Sequence, residues 1–96
     1  MIRFQHKIMN DDLIVSYDPV AHAAYIRVKS GRVSRTVKET PDVFVDLDSK
    51  GSLLGVELLD PKNIRINIVH KIAKEFGFPG LKHLNLRAIP SIYTYA

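Results

Sequence analysis

The alternation of apolar and polar residues between Leu13 and Leu59 constrains the fold of this chain more than any other feature. In the segment AYIRVK, Ala24, Ile26 and Val28 alternate with Tyr, Arg and Lys. Because side chains of a strand point alternately to its two faces, this period predicts strands with one buried face. The segments LIVSY, VSRTVKET, VFVDLD and SLLGVELL also read as strands. We expect four or five antiparallel strands in a meander, with the charged VSRTVKET at an edge.

Turn-forming residues separate these strands. Asp18 and Pro19 predict a tight turn, because Pro19 fixes φ and the Asp18 carboxylate can accept hydrogen bonds from the amides that follow. Gly31 in SGR predicts a second turn with positive φ. Gly51 lies in the loop of a hairpin, and Gly55 lies inside its second strand. We expect an even number of loop residues, since that sets the apolar positions of the two strands opposite each other: Val43, Val45 and Leu47 against Leu54, Val56 and Leu58.

After Asp60 the period becomes helical. Asp60 is expected to cap a helix, Pro61 to be its first residue and Gly77 to end it. The helix is expected within 61–77, packed on the apolar face of the sheet. Residues from 81 onward fit a short helix, a short strand or an extended tail equally well. The stripe that predicts the helix consists of Ile68, Val69, Ile72, Ala73 and Phe76.

A chain of 96 residues is expected to form one α+β domain. Its composition, with 46% hydrophobic and 25% charged residues, is typical of globular domains, and the absence of Cys excludes disulfides and thiolate metal sites. No signal peptide or apolar run of membrane-spanning length is present, so we predict a cytoplasmic protein without membrane contact. The expected parts are an N-terminal extension (1–12), a β-meander (13–60), the helix (61–77) and a tail (78–96).

The positive net charge is concentrated in the C-terminal third. Residues 62–96 carry six Lys or Arg against Glu75 alone, whereas residues 1–61 carry eight against nine acids. Such a segment could bind nucleic-acid phosphates or an acidic protein, although a solvated helix face is the simpler alternative. Nucleic-acid binding is the second hypothesis, because no aromatic side chain in 65–75 is available to stack on bases. The candidate contacts are Arg65, Lys71, Lys74, Lys82 and Arg87.

Three carboxylates, Asp46, Asp48 and Glu57, are expected on the outer face of the hairpin. Together with Asp18 they would suit a hard cation or acid–base work, so a metal-dependent enzyme is the third hypothesis. The residue types favour a solvated face whose acids pair with arginines across the sheet. We therefore predict no catalytic residue, no metal and no cofactor. The histidines show no metal-ligand spacing: His6, His22, His70 and His83.

The second face of the sheet is more apolar than solvation requires. It carries Tyr25, Phe44, Leu53 and Leu59 among its charges. We expect either the tail or another chain to cover it, and a homodimer or larger assembly is predicted. Aromatic anchors on a partly charged surface are typical of binding sites, so Tyr25, Phe44 and Leu59 are the predicted partner contacts.

The segments YDPVAHAAYIRV, VKET and VFVDLDSKGSLLGVELLD, in this order, resemble the small prokaryotic domains of unknown function numbered 2283. The resemblance covers roughly residues 13–60. The usual pattern is Tyr-Asp-Pro, a short spacer, Ala-Leu-Tyr-Ile, a charged edge strand, Val-Asp-Leu-Asp, a Gly turn and Gly-Ile-Glu-Ile-Leu. This chain departs from it at His22, where an acid is usual, and at Ala24, where Leu is usual.

The resemblance implies a compact β-rich domain with no established activity. Some members of the family lie beside small toxin-like proteins, which implies an antitoxin-like role and a protein partner encoded nearby. Taken with the residues above, the first hypothesis is a non-catalytic interaction module. It would bind a protein through the second sheet face or the C-terminal segment.

Overall fold

The computed structural model describes the backbone of residues 4–8 and residues 13–90 in full. The sheet and the single α-helix of these described residues confirm the predicted α+β class. One antiparallel sheet contains β1 (Phe4–Ile8), β2 (Leu13–Asp18), β3 (Ala23–Arg27), β4 (Arg35–Thr40), β5 (Val43–Leu47) and β6 (Leu53–Leu59). The helix α1 (Ile66–Glu75) follows, and short 3-10 turns lie at Pro61–Asn63, Pro79–His83 and Leu86–Ala88.

The first strand lies in the segment that the sequence assigns to an extension. Phe4–Ile8 pairs with β2, from Phe4 opposite Tyr17 to Ile8 opposite Leu13. A five-residue edge strand with Gln, His and Lys carries too weak an apolar pattern to be recognised by period alone. The backbone hydrogen bonds that β2 offers at its free side account for its formation.

The strand order, β1-β2-β3-β6-β5-β4, departs from an uninterrupted meander at one step. Two three-stranded meanders lie side by side, because β3 pairs with β6, with Ile26 opposite Val56. Residues 28–34 therefore cross to the far edge of the sheet, and the predicted tight turn at Gly31 is wrong. The positive-φ glycines of the described chain are Gly51 and Gly77. A Cβ at Gly31 would lie 2.7 Å from Cδ2 of Leu54, so this glycine allows the crossover to pack closely on β6.

The loop of the β5–β6 hairpin has three residues rather than the even number expected. The N–H of Asp48 donates to the carbonyl of Ser52 at 3.0 Å, and the N–H of Gly51 donates to the carbonyl of Asp48 at 3.0 Å. Gly51 has a φ of 81°, a conformation that glycine adopts without strain. This turn chemistry sets the loop length, which alternation of the flanking strands cannot specify.

A bulge in β6 restores the register that an odd loop would otherwise shift. Leu47 lies opposite Leu53, whereas Asp46 lies opposite Gly55, so Leu54 is the extra residue. Beyond it, Val45 lies opposite Val56, as predicted. The bulge also exchanges the roles of two leucines, because Leu53 belongs to the core cluster and Leu54 lies beneath the crossover.

The helix α1 packs its apolar stripe into the core, with Val69, Ile72 and Ala73 buried. Its predicted end is confirmed: Gly77 has a φ of 68° and the N–H of Phe78 donates to the carbonyl of Ala73 at 2.8 Å. Its predicted start is wrong. Asp60 has a φ of 52° and precedes the 3-10 turn at Pro61–Asn63, so the α-helix begins five residues after Pro61.

Residues 79–90 complete the same core. Leu81 is fully buried, and Leu84, Leu86 and Ile89 belong to the cluster that contains the apolar residues of the strands and of α1. Tyr25, Phe44 and Leu59 lie outside this cluster. The described part of the C-terminal segment therefore does not serve as the expected cover of the second sheet face.

Replacing Leu81 tests whether this segment is part of the folded core. Leu81→Ala is expected to lower the free energy of unfolding by about 2–5 kcal/mol, because it removes buried methyl groups and leaves a cavity. The exposed neighbour offers the control, since Lys82→Ala is expected to change it by less than about 0.5 kcal/mol. Urea denaturation followed by circular dichroism measures both, and equal effects would show that the segment does not stabilise the fold.

Candidate functional site

A groove of about 530 Å³ lies between residues 62–66 and residues 82–87. Four basic side chains line it, all of them on exposed residues: Lys62, Arg65, Lys82 and Arg87. Among the described residues the lining also contains His83 but no Asp or Glu. Like charges gathered in one concave surface produce a positive potential that attracts anions from solution.

Buried leucines hold one wall of this basic groove in place. Leu84 and Leu86 are 6% and 4% exposed, and they alternate with exposed Asn85 and Arg87. The side chain of Asn85 accepts a hydrogen bond from the N–H of Ala88 at 3.3 Å, which stabilises the following 3-10 turn. The core thus fixes the backbone from which the cations extend.

The opposite wall follows β6. Pro61 is buried and anchors the 3-10 turn that carries Lys62 and Asn63. Ile64 packs partly against the core, whereas Ile66 remains accessible to solvent, with 45% of the residue exposed. The basic groove therefore combines cations and amide groups with accessible apolar surface.

Three of the five predicted basic contacts meet in the groove: Arg65, Lys82 and Arg87. Lys71 does not, because its ammonium group lies 3.7 Å from the Glu39 carboxylate on β4. Lys74 lies on α1 outside the groove lining. Lys62 and His83 were missed as site residues. The charge count of the C-terminal third includes Lys62, but only the tertiary path brings it to this wall.

Tyr25, Phe44 and Leu59 share the outer face of the sheet, which is the face opposite α1. Glu57 of β6 lies opposite both Tyr25 and Phe44, so the two aromatic residues flank a carboxylate. All three predicted contacts are half-buried within the described chain. Their role as partner contacts stays a prediction.

Tyr25 has a structural role on this outer face. Its hydroxyl donates to Oδ2 of Asp46 at 2.9 Å, and the Thr36 hydroxyl donates to Oδ1 of the same carboxylate at 2.6 Å. Burial and the hydrogen bond to Asp46 raise the pKa of Tyr25 well above its usual value of 10. The neutral phenol lies over Gly55, where a Cβ would collide with it.

The acidic residues proposed as a metal site have separate roles. Asp46 binds two hydroxyl groups, as described above, and Glu57 is exposed on the outer face. Asp48 instead lies in the hairpin loop, where its Oδ1 accepts from the N–H groups of Lys50 and Ser52, both at 2.9 Å. Across residues 13–90, no three His, Asp or Glu side chains form a group that could hold a metal ion.

Asp18 and Pro19 lie in the turn between β2 and β3. The Asp18 carboxylate is buried and accepts from the N–H groups of Val20 and Ala21, at 3.0 and 3.3 Å. His22 ends this turn with a φ of 53°, and its Nδ1 lies 3.4 Å from the Tyr17 hydroxyl. A side chain that closes a turn in this way accounts for the buried carboxylate without a catalytic role.

The model of the family described as Protein of unknown function (DUF2283) matches residues 14–62, about half of the chain. The chain therefore belongs to this family. Searches of curated proteins and of solved structures found no match. No helix in the described residues is long and apolar enough to cross a membrane. The matched residues end at Lys62, so most of the basic groove lies outside the part that the family model covers.

Gly55→Ala is expected to lower the free energy of unfolding by about 1–3 kcal/mol, because the added methyl group must displace the Tyr25 ring. In a Tyr25→Ala background the same substitution is expected to cost much less, since the ring is absent. Thermal or urea unfolding of the four chains gives the coupling between the two sites. Equal costs in both backgrounds would contradict the proposed contact.

Asp48→Asn is expected to destabilise the protein at neutral pH and to have little effect in strong acid. Hydrogen bonds from the Ser52 and Lys50 N–H groups, with Lys29 at 3.4 Å, hold the pKa of Asp48 below its usual value of 3.8. A lowered pKa stabilises the folded state above the unfolded value, and this contribution is lost as the pH falls through the folded value. Unfolding curves between pH 2 and 7 measure the difference.

Asp42→Asn provides the control for that titration, because Asp42 is an exposed carboxylate in the neighbouring turn. Only the Asp48 variant is expected to approach the wild type as the pH falls. A difference from the wild type that stayed constant over the whole range would contradict the assigned role of Asp48.

Proposed function

We propose that this member of the DUF2283 family is a non-catalytic, cytoplasmic interaction module that binds an acidic segment of a partner protein in the basic groove. The observation that carries the proposal is the meeting of four basic side chains in one concave surface whose described lining contains no acid. An antitoxin-like role, in which the segment belongs to a protein encoded nearby, is its sharpest form.

Charge supports an anionic ligand. Arg65 and Arg87 each offer a planar fork that matches the two oxygens of a carboxylate, while Lys62 and Lys82 act as compact point charges. Within residues 13–90 the described ion pairs of basic residues involve Lys29 and Lys71, which lie outside the groove. A carboxylate-rich segment would therefore supply the counter-charges that the lining lacks.

The apolar surface of the groove favours a peptide over nucleic acid. Ile66 is 45% exposed beside Arg65, so a segment that alternates acidic and aliphatic side chains would satisfy both kinds of surface. Aromatic side chains are the usual stacking platforms for bases, and the described lining contains none apart from the imidazole of His83. The volume of about 530 Å³ falls in the range of about 300–1,000 Å³ that is typical of ligand-binding clefts.

Binding is favoured over catalysis by the composition of the same lining. General acid–base or nucleophilic catalysis needs a reactive group together with a partner that orients or activates it. His83 supplies the one imidazole of the described lining, and the described part of the lining offers no carboxylate, hydroxyl or thiol beside it.

The double variant Lys82→Glu/Arg87→Glu tests the proposal, because it reverses two charges of one wall without touching the buried leucines. The probe is a twelve-residue peptide of alternating Glu and Leu, measured by isothermal titration calorimetry. We expect its affinity to fall at least about tenfold. Arg32→Glu/Lys50→Glu makes the same change in net charge at exposed positions outside the groove and is expected to alter the affinity little.

Equal binding by the groove variant and the wild type would contradict the proposal. A duplex or single-stranded DNA oligonucleotide that bound more tightly than the peptide, with affinity falling steeply as salt is added, would establish the nucleic-acid alternative instead. Co-purification with the product of the neighbouring reading frame, lost in the groove variant, would support the antitoxin-like form.

A further inference from the structure

The strand β4 forms one edge of the sheet and pairs only with β5 among the described strands. We propose that two copies of this chain pair along β4 in antiparallel fashion, centred on Val37, and so join their sheets. This surface is separate from the basic groove, and no groove residue belongs to β4.

The hydrogen bonds of the sheet establish which backbone groups of β4 are free to pair. In a strand, the N–H and C=O of one residue point to the same side, and those of the next residue point to the other. The N–H of Leu59 donates to the carbonyl of Asp42 at 2.9 Å, so the backbone N–H and C=O of Asp42 point to β6. The backbone groups of Val43 and Val45 therefore point to β4.

The same alternation continues into β4. Val37 lies opposite Val45 and thus directs its backbone groups inward to β5. The N–H of Ser34, just before β4, also donates to the carbonyl of Leu47 at 2.8 Å, so the regular alternation of β4 begins at Arg35. The backbone groups of Thr36 and Lys38 consequently point away from the sheet, toward a strand that could be added at this edge.

Charge selects one register for that added strand when it is a second copy. Pairing centred on Lys38 sets two ammonium groups against each other, and pairing centred on Thr36 sets Arg35 against Val37. Pairing centred on Val37 sets Arg35 of each copy opposite Glu39 of the other, while Thr36 and Lys38 exchange backbone hydrogen bonds. Opposite charges in such facing positions stabilise a sheet, and like charges destabilise it.

The side chains lie where this register requires them. Val37 packs partly against the core, so its side chain lies on the face of the sheet that carries α1. Arg35 and Glu39, each two residues from Val37 along the strand, share that face. Glu39 is held there by Lys71 at 3.7 Å, with 14% of its side chain exposed. A bulge at Glu39 ends the regular part of β4, which limits the pairing to the short stretch Arg35–Glu39.

Light scattering and sedimentation equilibrium test the proposal, with 10.9 kDa expected for one chain and twice that mass for the pair. The wild type is expected to dimerise with rising concentration. Arg35→Glu and Glu39→Arg are each expected to raise the dissociation constant at least about tenfold, because like charges then face each other. Arg32→Glu, an exposed substitution in the crossover, is the matched control and is expected to leave the mass unchanged.

Mixing the two weakened variants is the decisive step. A chain with two carboxylates at these positions faces a chain with two guanidinium groups, so the mixture is expected to recover the dimer that neither variant forms alone. Lys38→Pro removes an outward N–H that none of the described strands uses, and it is expected to give a folded monomer. A monomeric wild type at millimolar concentration, an unchanged mass for the variants, or no dimer in the mixture would overturn the proposal.

Discussion

Burial of one sheet face beneath α1 and residues 79–90 is the constraint on which the rest of the structure depends. The strands supply a continuous apolar surface, and the helix and the C-terminal leucines cover it in a single cluster. The strand β6, like its neighbours, must place its apolar side chains in that cluster. The bulge at Leu54 allows this, because it places Val56 and Leu58 on the buried face after a loop of odd length.

The same burial produces the surface proposed to bind a partner. Leu84 and Leu86 are held in the core, so the polar residues between and around them are presented to solvent on a fixed backbone. The wall that follows β6 is anchored in turn by Pro61. The cations of the basic groove therefore meet as a consequence of core packing, while the outer face uses its own network around Asp46 to hold Tyr25 over Gly55.

Local patterns predicted much of this fold because local physics determines it. The alternation in β3 and β5, the stripe of α1 and the stop at Gly77 follow from strand and helix periods and from the freedom of glycine at positive φ. The pairing of β3 with β6 depends on a contact between distant segments, and no local period reports it. The bulge in β6 places Leu53, rather than Leu54, in the core cluster. The sequence cannot show this, because the two adjacent residues are identical.

For the candidate site, the charge asymmetry predicted basic contacts in the C-terminal third, and three of them line the groove, but charge alone could not separate Lys71 from Arg87. Which basic residues line the groove depends on the course of residues 79–90 through the fold. The sequence does not predict that course, because the leucine spacing in this segment fits neither a helical nor a strand period. Nuclear magnetic resonance of the ¹⁵N-labelled protein, titrated with the acidic peptide, shows which surface binds the peptide. We expect amide shifts concentrated in residues 62–66 and 82–87; shifts concentrated around Tyr25 and Phe44, or none at all, would contradict binding in the basic groove.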